Sequence, residues 1–482
     1  MRERPLHVVV LAAGQGRRMR SALPKPLLPL AGRPLLLHVL EAAEALSPSA
    51  IHLVHGRAGG APLQVVVGDR PGLFWVLQDP PLGTGHAVQA ALPSIPGNAR
   101  VLVLLGDVPT VWPELLRPLV EAEDPLAVLI ARPADPGGYG RVLLDGEGRV
   151  RAVVEARDAG PEALASPWVN TGIIAASAGE LSRWLTRLEP RNAQGEYYLT
   201  DVFAMAWAEG RPARAFTTED PIAGLGVNDA AELASLERAW QRRQAEHLLQ
   251  QGVRLADPSR FDLRGRLKAG RDVEIDVDVI LEGEVELGDG VRIGPFSRLR
   301  DCRLAAGSEV LAHCDLEGVV SEGACRIGPF ARLRPGTRLA AAVQVGNFVE
   351  IKNSALAAGV KANHLSYLGD ASIGEGSNIG AGTITCNYDG LSKHRTVIGA
   401  RAFVGSNCSL VAPITIGEEA TIGAGSVLTK DAPAHALTLA RAPQRSIPGW
   451  RRAARPRRKP LEQREPRSEN AEAGKLGDEQ SA

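Results

Sequence analysis

The chain has 482 residues, of which 44% are hydrophobic and 23% are charged, with 55 basic and 55 acidic side chains. This length exceeds what one hydrophobic core usually supports, so we expect two or three domains. The balanced charge argues against a nucleic-acid-binding or membrane-surface protein, and an aromatic content of 4% leaves little for base stacking.

The N-terminal residues lead straight into the apolar stretch Val8-Val9-Val10-Leu11, without the apolar core of a signal peptide. No run of about eighteen apolar residues occurs in the chain, as a membrane-spanning helix would require. We therefore expect a cytoplasmic protein with no insertion into a membrane.

A glycine-rich turn follows this predicted strand and contains Gly14, Gly16 and Arg18. Such a turn lets backbone N–H groups approach a phosphate while arginine neutralises its charge. The turn matches neither the dinucleotide-binding pattern nor the P-loop, and a glycine turn is often only a turn. Lys25, on a loop stiffened by two prolines, strengthens the phosphate-binding interpretation.

The apolar stretch Val101-Leu102-Val103-Leu104-Leu105 ends in Gly106-Asp107. A carboxylate is thereby predicted at the carboxyl end of a buried parallel strand, where open α/β sheets bind their ligands. Asp107 is a candidate Mg²⁺ ligand, because Mg²⁺ needs only one or two carboxylates besides phosphate oxygens. The alternative is that Asp107 only caps the next element.

The segment Leu11-Ala12-Ala13-Gly14-x-Gly16-x-Arg18-Met19, with Leu23-Pro24-Lys25-Pro26, resembles the signature of sugar-1-phosphate nucleotidyltransferases, whose domain is a Rossmann-like α/β fold. Gln78 and Leu82-Gly83-Thr84-Gly85-His86-Ala87 resemble the family's uracil-reading segment, and residues 138–141, 170–172 and 192–201 its sugar-site loops. The resemblance implies metal binding by Asp107 and Asn228. It implies nucleotide or sugar binding by Leu11, Ala12, Ala13, Gly14, Arg18, Lys25, Gln78, Gly83, Thr84, Leu105, Gly106, Asp107, Gly140, Glu155, Asn170 and Asn228.

The chain departs from this family pattern at a few positions. Leu105 stands where a polar or aromatic residue often precedes Gly-Asp, and Gln15 replaces a common lysine. The loop after Lys25 is altered by Pro26-Leu27-Leu28, and residues 56–72 have no clear pattern. None of these departures removes a proposed catalytic group.

A linker helix is predicted between two domains. Asp229-Ala230-Ala231-Glu232 has the spacing of a capping box, and Leu233, Leu236 and Trp240 follow at helical intervals. We therefore assign residues 1–230 to the first domain and 231–251 to a largely exposed linker helix.

The C-terminal half has a period of six residues. Ile398, Val404, Leu410, Ile416, Ile422 and Leu428 recur at this spacing, which fits neither a helix nor an alternating strand. A hexapeptide repeat predicts a parallel β-helix over residues 252–455, with these aliphatic side chains inside and small residues at its corners.

The same period occurs upstream, but it is interrupted around residues 300–326, 352–372 and 384–397. We interpret these interruptions as loops that leave the coil, where polar residues would carry chemistry. The five cysteines, 302, 314, 325, 386 and 408, form no C-x-x-C pair. This favours reduced structural thiols over a metal cluster or disulfides.

Four polar segments lie at these interruptions: Arg332-Leu333-Arg334-Pro335-Gly336, residues 346–353, residues 363–370, and Cys386-Asn387-Tyr388-Asp389-Gly390. With the first domain, they resemble the bifunctional N-acetylglucosamine-1-phosphate uridyltransferase/glucosamine-1-phosphate acetyltransferases over residues 6 to about 452. The resemblance implies a left-handed coil, a homotrimer, Mg²⁺ as cofactor, and acetyl-CoA and UTP as substrates.

The resemblance also implies roles for single residues. His364 is expected to be the general base of acetyl transfer, and imidazole suits this role because its pKa lies near the working pH. Glu350 is expected to orient or polarise it. Binding of the sugar phosphate or acetyl-CoA is expected from Arg334, Lys352, Tyr367, Asn378, Ala381, Asn387, Tyr388, Lys393, Ser406, Ala424 and Arg441.

The sequence thus predicts a bifunctional enzyme that acetylates glucosamine-1-phosphate and then makes UDP-N-acetylglucosamine, a precursor of bacterial envelope polysaccharide. One alternative is a glucose-1-phosphate nucleotidyltransferase whose β-helix is structural or regulatory. Another is a non-catalytic sensor of nucleotide sugars. Residues 456–482 are polar and charged, and we expect them to be disordered.

Overall fold

A computed structural model describes residues 4–14, 19–133, 135–220 and 222–452. The chain divides into two compact units, residues 1–440 and 441–482. The first unit contains an α/β part and a β-helix. The second unit has no helix or strand in its described part, residues 441–452. The predicted disordered tail, and Gln15 and Arg18 in the glycine-rich turn, lie outside the described residues.

The α/β part is built on a nine-stranded mixed sheet with strand order β5-β4-β1-β6-β10-β7-β11-β9-β8. Its strands are Leu6–Leu11 (β1), Ala50–Gly56 (β4), Leu73–Gln78 (β5), Arg100–Leu105 (β6), Leu126–Ala131 (β7), Arg141–Leu144 (β8), Arg149–Val154 (β9), Val169–Ser177 (β10) and Ala213–Thr217 (β11). A short hairpin is formed by Pro29–Leu30 (β2) and Arg33–Pro34 (β3).

The helices of this part are Leu35–Glu44 (α1), Gly60–Val67 (α2), Thr84–Ala91 (α3), Pro113–Glu121 (α4), Pro161–Leu164 (α5), Ala178–Leu185 (α6) and Asp201–Ala208 (α7). Short 3₁₀ turns occupy Lys25–Leu27 and Leu92–Ser94. Helix α2 lies in the segment 56–72, which has no clear sequence pattern. No helix in the described residues is long and apolar enough to span a bilayer.

Strand β1 lies between β4 and β6, and it is parallel to both. Helices cover both faces of such a strand, which explains its continuous apolar sequence. Two buried clusters flank the sheet, one containing Val9 and Val103 and the other Val8 and Leu102. The carboxyl ends of β1 and β6 therefore meet at one edge, as the sequence predicted.

The linker helix is confirmed as α8, Ala230–Gln250, and Asp229 caps it by accepting hydrogen bonds from the N–H groups of Ala231 and Glu232. The Glu232 carboxylate in turn accepts from the N–H of Asn228, 2.7 Å away. Gln241 on this helix is buried and bonds both backbone groups of Leu263 in the β-helix. Helix α8 thus joins the two parts of the first unit.

The β-helix has three faces of stacked parallel strands. The first face contains Arg254–Leu255, Glu274–Ile275, Arg292–Ile293, Glu309–Val310, Arg326–Ile327, Gln344–Asn347, Lys361–His364, Asn378–Ile379, Phe403–Val404, Thr421–Ile422 and Leu437–Thr438. The second contains Phe261–Ala269, Val279–Leu287, Arg298–Arg300, Asp315–Glu317, Arg332–Leu333, Glu350–Lys352, Tyr367–Gly369, Ile384–Cys386, Ser409–Val411 and Val427–Leu428. The third contains Arg303–Leu304, Val320–Ser321, Arg338–Leu339, Ala355–Leu356, Ala371–Ile373, Thr396–Ile398 and Ile414–Ile416.

The six-residue period is confirmed as the internal core of this coil. All six repeat residues from Ile398 to Leu428 are buried, and Val404, Leu410 and Ile416 are 0% exposed. A Cβ atom added at Gly417 would lie 2.3 Å from the backbone nitrogen of Ala434 in the next coil. The corner therefore requires glycine, because neighbouring coils stack backbone on backbone there.

The prediction of a loop is wrong for two of the three interruptions. Within 300–326 and 352–372 the coil continues, but each turn is one residue shorter: Arg298 pairs with Asp315 and Lys352 stacks on Gly369, each 17 positions on. A shortened corner breaks the period without releasing a loop. Only 384–397 holds an insertion, where the coil from Ser377 to Ala402 takes 25 residues.

The cysteine prediction is confirmed. All five are free thiols, and all but Cys386 are buried. Burial raises the pKa of Cys302, Cys314 and Cys325 to about 11, so these thiols stay protonated and inert.

Two candidate active sites

The first candidate site is a cleft at the carboxyl ends of β1 and β6. It consists of a cavity of about 580 Å³ and an adjoining one of about 400 Å³. Both sizes are those of small-molecule sites. Lys25, Thr84, Leu105 and Asp107 line both cavities, so these residues mark the junction between them.

Lys25 and Asp107 contact each other at this junction. Lys25 begins the 3₁₀ turn after Pro24, and its ammonium donates to Oδ2 of Asp107. The turn after β6 is held to β1, because the N–H of Gly106 donates to the carbonyl of Leu11 at 2.8 Å. A cation and an anion are therefore fixed where the contents of the two cavities would meet.

The larger cavity is lined by Leu11, Ala12, Ala13, Gly14, Gln78 and Gly83. Gln78 is 3% exposed, and its amide donates to the Gly83 carbonyl at 2.9 Å. Gly83 has φ of +111°, and a Cβ atom there would lie 2.7 Å from the carbonyl oxygen of Tyr197. This residue must be glycine, and the wall it forms is rigid.

The smaller cavity is lined by Gly140, Glu155, Asn170 and Asn228. Burial raises the pKa of Glu155, whose carboxylate accepts from the Thr200 hydroxyl at 3.2 Å. The hydroxyl of Tyr139 bonds both the carbonyl and the N–H of Gly226, each at 3.2 Å. Tyr139 thus ties the 138–140 loop to the segment that carries Asn228.

Asp107 and Asn228 supply a donor set that suits Mg²⁺. Both line the smaller cavity, and the N–H of Val227 donates to the backbone carbonyl of Asp107 at 3.3 Å. A carboxylate and an amide oxygen are hard ligands, and Mg²⁺ takes its remaining ligands from water and phosphates. In the described residues, no group of three or more His, Cys, Asp or Glu side chains could hold a metal alone.

Leu105, which lines both cavities, packs under a glycine. A Cβ atom at Gly172 would lie 2.4 Å from Cδ1 of Leu105. The apolar side chain thus fills the place where the family pattern has a polar or aromatic residue. The predicted residues of this cleft lie together, apart from Arg18, which is outside the described part of the chain.

The second candidate site lies on the β-helix, where the first and second faces adjoin. His364 is exposed, and its Nδ1 donates to Oδ1 of Asn347 at 3.0 Å. The Glu350 carboxylate forms no hydrogen bond with His364. It accepts from the guanidinium of Arg334 at 2.8 Å. The expected Glu350 contact is thus replaced by an Asn347 contact, because Asn347 stacks directly on His364 in the strand register.

Three cations lie close together on the β-helix. Lys393, which contacts Lys352, and the nearby Arg334 lower the pKa of Lys352. Like charges are held close only where a structure enforces it, and an anion would relieve their repulsion. The grouping of Arg334, Lys352 and Lys393 can therefore accommodate a phosphate.

Asp370 organises the neighbouring polar groups. Its two carboxylate oxygens accept from the amides of Asn353 and Asn387, each at 2.5 Å. Burial opposes this charge, but the two amides lower the pKa of Asp370. A Cβ atom at Gly369 would lie 2.5 Å from the Tyr367 hydroxyl and 2.7 Å from the Asn387 amide. Glycine thus lets Tyr367 and Asn387 meet.

Three of the other predicted acetyltransferase residues follow His364 along one corner of the coil. The N–H of Gly382 donates to the His364 carbonyl, that of Asn407 to Ala381, and that of Gly425 to Ser406. Ala381, Ser406 and Ala424 are thus on successive turns beyond the histidine. Asn378 lies on the first face directly after Lys361 in the register. Tyr388 is exposed, and Arg441 belongs to the second unit.

Sequence reasoning placed Asn347, Asp370 and Tyr139 in segments of interest but gave none of them a role of its own. All three act on other side chains or on backbone, and no local motif signals such a role. The coil register could have found Asn347, because it precedes His364 by 17 positions, one short turn of this coil.

Comparison with known proteins agrees with this architecture. Residues 8–171 match the model of the MobA-like NTP transferase domain, and residues 395–430 that of the hexapeptide repeat of succinyl-transferase. Relatives named bifunctional protein GlmU are 58% identical in Stenotrophomonas maltophilia (strain K279a), 54% in Xylella fastidiosa (strain M12) and 59% in Xanthomonas campestris pv. campestris (strain B100). Each alignment spans 448 residues, 93% of this chain and 98% of the relative. The chain therefore belongs to the family of the bifunctional protein GlmU, and it is an enzyme of UDP-N-acetylglucosamine synthesis with uridyltransferase and acetyltransferase activities.

Proposed function

We propose that uridylyl transfer takes place in the cleft around Asp107 and acetyl transfer beside His364. Residues 1–230 would form the uridyltransferase domain, 231–251 the linker, and 252–455 the acetyltransferase domain. The observation that carries the proposal is the gathering of Arg334, Lys352 and Lys393 on a β-helix that also carries an exposed histidine, since an inert β-helix needs no such cluster.

In acetyl transfer, the three cations bind the phosphate of glucosamine-1-phosphate. Nε2 of His364 takes a proton from the sugar amine as its nitrogen attacks the carbonyl carbon of acetyl-CoA. The C–S bond then breaks, and the coenzyme A thiolate takes up the proton. Since Nδ1 donates to Asn347, Nε2 is the nitrogen left to act as base.

Tyr367 and Asn378 would contact the sugar in this reaction. Asn387, Tyr388, Ala381, Ser406, Ala424 and Arg441 would contact acetyl-CoA and the oxyanion that develops on its carbonyl. This assignment is supported by the positions of Ala381 and Ser406 on successive turns of the corner that begins at His364.

In uridylyl transfer, a phosphate oxygen of N-acetylglucosamine-1-phosphate attacks the α-phosphorus of UTP, and pyrophosphate leaves. The nucleotide would occupy the cavity beside Gln78 and Gly83, and the sugar the cavity beside Glu155 and Asn170. Lys25 neutralises charge between the two reactants. No protein nucleophile is needed, because positioning and electrostatics supply the catalysis.

Mg²⁺ would be held by Asp107 and Asn228, and when bound it would neutralise phosphate charge and orient the triphosphate. Arg18 is expected to add a further cation near the triphosphate.

The protein would act as a homotrimer. An exposed ladder of stacked rings lies on one corner of the β-helix, and neighbouring ring centroids are 4.7–5.4 Å apart. The ladder consists of Phe296, His313, Phe330 and Phe348. Leu365 follows His364 on the next coil, where its N–H donates to the Asn347 carbonyl, and its side chain is also 61% exposed. A ladder without carboxylates or ammonium groups can pack against its own copy, since nothing in it repels itself.

A cytoplasmic location is supported by the five free thiols, which oxidising compartments seldom leave unpaired.

The test follows free thiol and pyrophosphate in parallel for the wild type, His364→Ala and Asp107→Asn. The wild type is expected to release both products from glucosamine-1-phosphate, acetyl-CoA, UTP and Mg²⁺. His364→Ala should lose thiol release by roughly 100-fold or more, yet still make pyrophosphate from supplied N-acetylglucosamine-1-phosphate. Asp107→Asn should lose pyrophosphate release and still release thiol from glucosamine-1-phosphate and acetyl-CoA. Loss of both products in either variant, or of neither, would contradict the assignment of two separate sites.

A further inference from the structure

The inserted loop between Cys386 and Thr396 is a feature that the two reactions do not by themselves explain. It leaves the second face of the coil after Ile384–Cys386 and returns to the third face at Thr396–Ile398. It carries Tyr388 and Lys393, both of them exposed. A lysine on a mobile loop would contribute little to the free energy of phosphate binding, because ordering the loop costs conformational entropy.

Asp389 closes this loop from the inside. Its Oδ1 accepts from the N–H groups of Leu391 and Ser392, at 2.8 and 2.7 Å. Its Oδ2 accepts from Nε2 of His394 at 2.6 Å. The N–H of Ser392 and the His394 imidazole hold the pKa of Asp389 well below its usual range, so this carboxylate stays charged at neutral pH. One side chain therefore links three other residues of the loop.

The closed loop is also anchored to the site. The N–H of His394 donates to the Asn387 carbonyl at 2.8 Å, and Tyr388 pairs with Lys393 as an antiparallel bridge. The Asn387 side chain in turn donates to Asp370. Lys393 is thereby held next to Lys352, where it completes the group of three cations.

We propose that Asp389 is a positioning residue of acetyl transfer, which holds the loop closed so that the Lys393 ammonium is preset for the sugar phosphate. The inference rests on the proposed acetyl-transfer function of this site. Asp389 touches no reacting atom, and its effect is exerted through Lys393. Substrate affinity should therefore depend on it more than the chemical step does.

The test measures thiol release against the concentration of glucosamine-1-phosphate in Asp389→Ala, Asp389→Asn, Lys393→Met and the double variant Asp389→Ala/Lys393→Met. Asp389→Ala is expected to raise KM about 10-fold and to change kcat less than threefold. Asp389→Asn retains an acceptor oxygen for the loop N–H groups and should give an intermediate KM. In the Lys393→Met background, Asp389→Ala should raise KM no further, since the residue that it positions is gone.

Asp289→Ala is the matched control. The Asp289 side chain, like that of Asp389, is 49% exposed, and it accepts from the backbone N–H and from the guanidinium of Arg271. Its KM should equal that of the wild type. Pyrophosphate release from N-acetylglucosamine-1-phosphate, measured on each sample, reports that the variants are folded.

An unchanged KM in Asp389→Ala would overturn the inference, and so would an equal rise in KM with and without Lys393. A wild type that releases pyrophosphate but no thiol would instead overturn the acetyl-transfer function itself. The two failures are thus distinguishable.

Discussion

Nδ1 of His364 lies 3.0 Å from Oδ1 of Asn347, and the two residues stack one above the other in neighbouring coils. The amide oxygen can only accept, so the hydrogen bond fixes the proton on Nδ1 and leaves the lone pair on Nε2. The β-helix register itself thus sets the tautomer of the proposed base.

Asn347→Ala is expected to lower kcat of acetyl transfer about 10- to 100-fold, the cost of losing a partner that orients a functional histidine. Asn347→Asp keeps an acceptor oxygen and should retain more activity, with the acidic limb of its pH–rate profile shifted to higher pH, because the carboxylate stabilises the imidazolium. The measurement is thiol release from pH 5 to 9. Equal kcat values in the wild type and Asn347→Ala would exclude the orienting role.

Glu155→Gln should make the protein more stable and its uridylyl transfer weaker. Burial raises the pKa of Glu155, so the folded state favours the protonated form. The stabilising contribution of this carboxyl is present below its unfolded pKa, near 4.5, and is lost as pH rises through the folded value. Glutamine removes the cost of burying a charge at neutral pH.

Thermal melting at pH 7.5 should therefore give a higher Tm for Glu155→Gln than for the wild type, and the difference should vanish near pH 4. The exposed Glu147→Gln is the control and should leave Tm unchanged at both pH values. A lower Tm in Glu155→Gln at pH 7.5 would contradict this reasoning.

His52 should make the α/β part sensitive to acid. It is 1% exposed between His7 and Phe74, and its Nδ1 has no hydrogen-bond partner. Burial, with a contribution from His7, lowers the pKa of His52 to about 4. The stability of the neutral form is complete above the unfolded pKa of 6.5 and declines as pH falls towards 4.

Tm should consequently fall less between pH 7.5 and pH 5 in His52→Phe than in the wild type. His247→Phe, at an exposed position on α8, should show the wild-type loss. If His52→Phe loses as much Tm as the wild type over this interval, the acid sensitivity has another source.

Phe330→Glu should dissociate the proposed trimer. This ring lies between His313 and Phe348 in the exposed ladder, and a carboxylate there would meet its own copies. Light scattering is expected to give the mass of a monomer, while pyrophosphate release persists. Phe74→Glu, at an exposed edge of the α/β sheet, is the control and should stay trimeric. A wild type of monomeric mass would refute the trimer directly.

Much of the fold could be predicted because its signals are local. A period of six is visible in the residues themselves, as are the apolar run of β1 and the capping box at Asp229. The interruptions at 300–326 and 352–372 were misread because a coil shortened by one residue and a loop disturb the period in the same way. Only the strand pairing distinguishes a turn of 17 residues from an excursion.

The residues that support the sites were harder to predict. His364 and Lys25 lie in recognisable motifs, whereas Asn347, Asp389 and Tyr139 act through partners that the fold brings near. Tyr139 bonds Gly226, which is 87 positions away. Such pairings depend on tertiary contacts, and the chemistry of one isolated tyrosine does not reveal them.

The insertion at residues 387–395 bears on how this scaffold can change. On both sides of it the strands keep their stacking partners, as Ile384 with Ser409 and Ala371 with Thr396 show. A solenoid turn contacts only the turns above and below it, so a corner can lengthen without propagating a distortion. The segment between Cys386 and Thr396 can therefore change in length or sequence while the supporting coils keep their register.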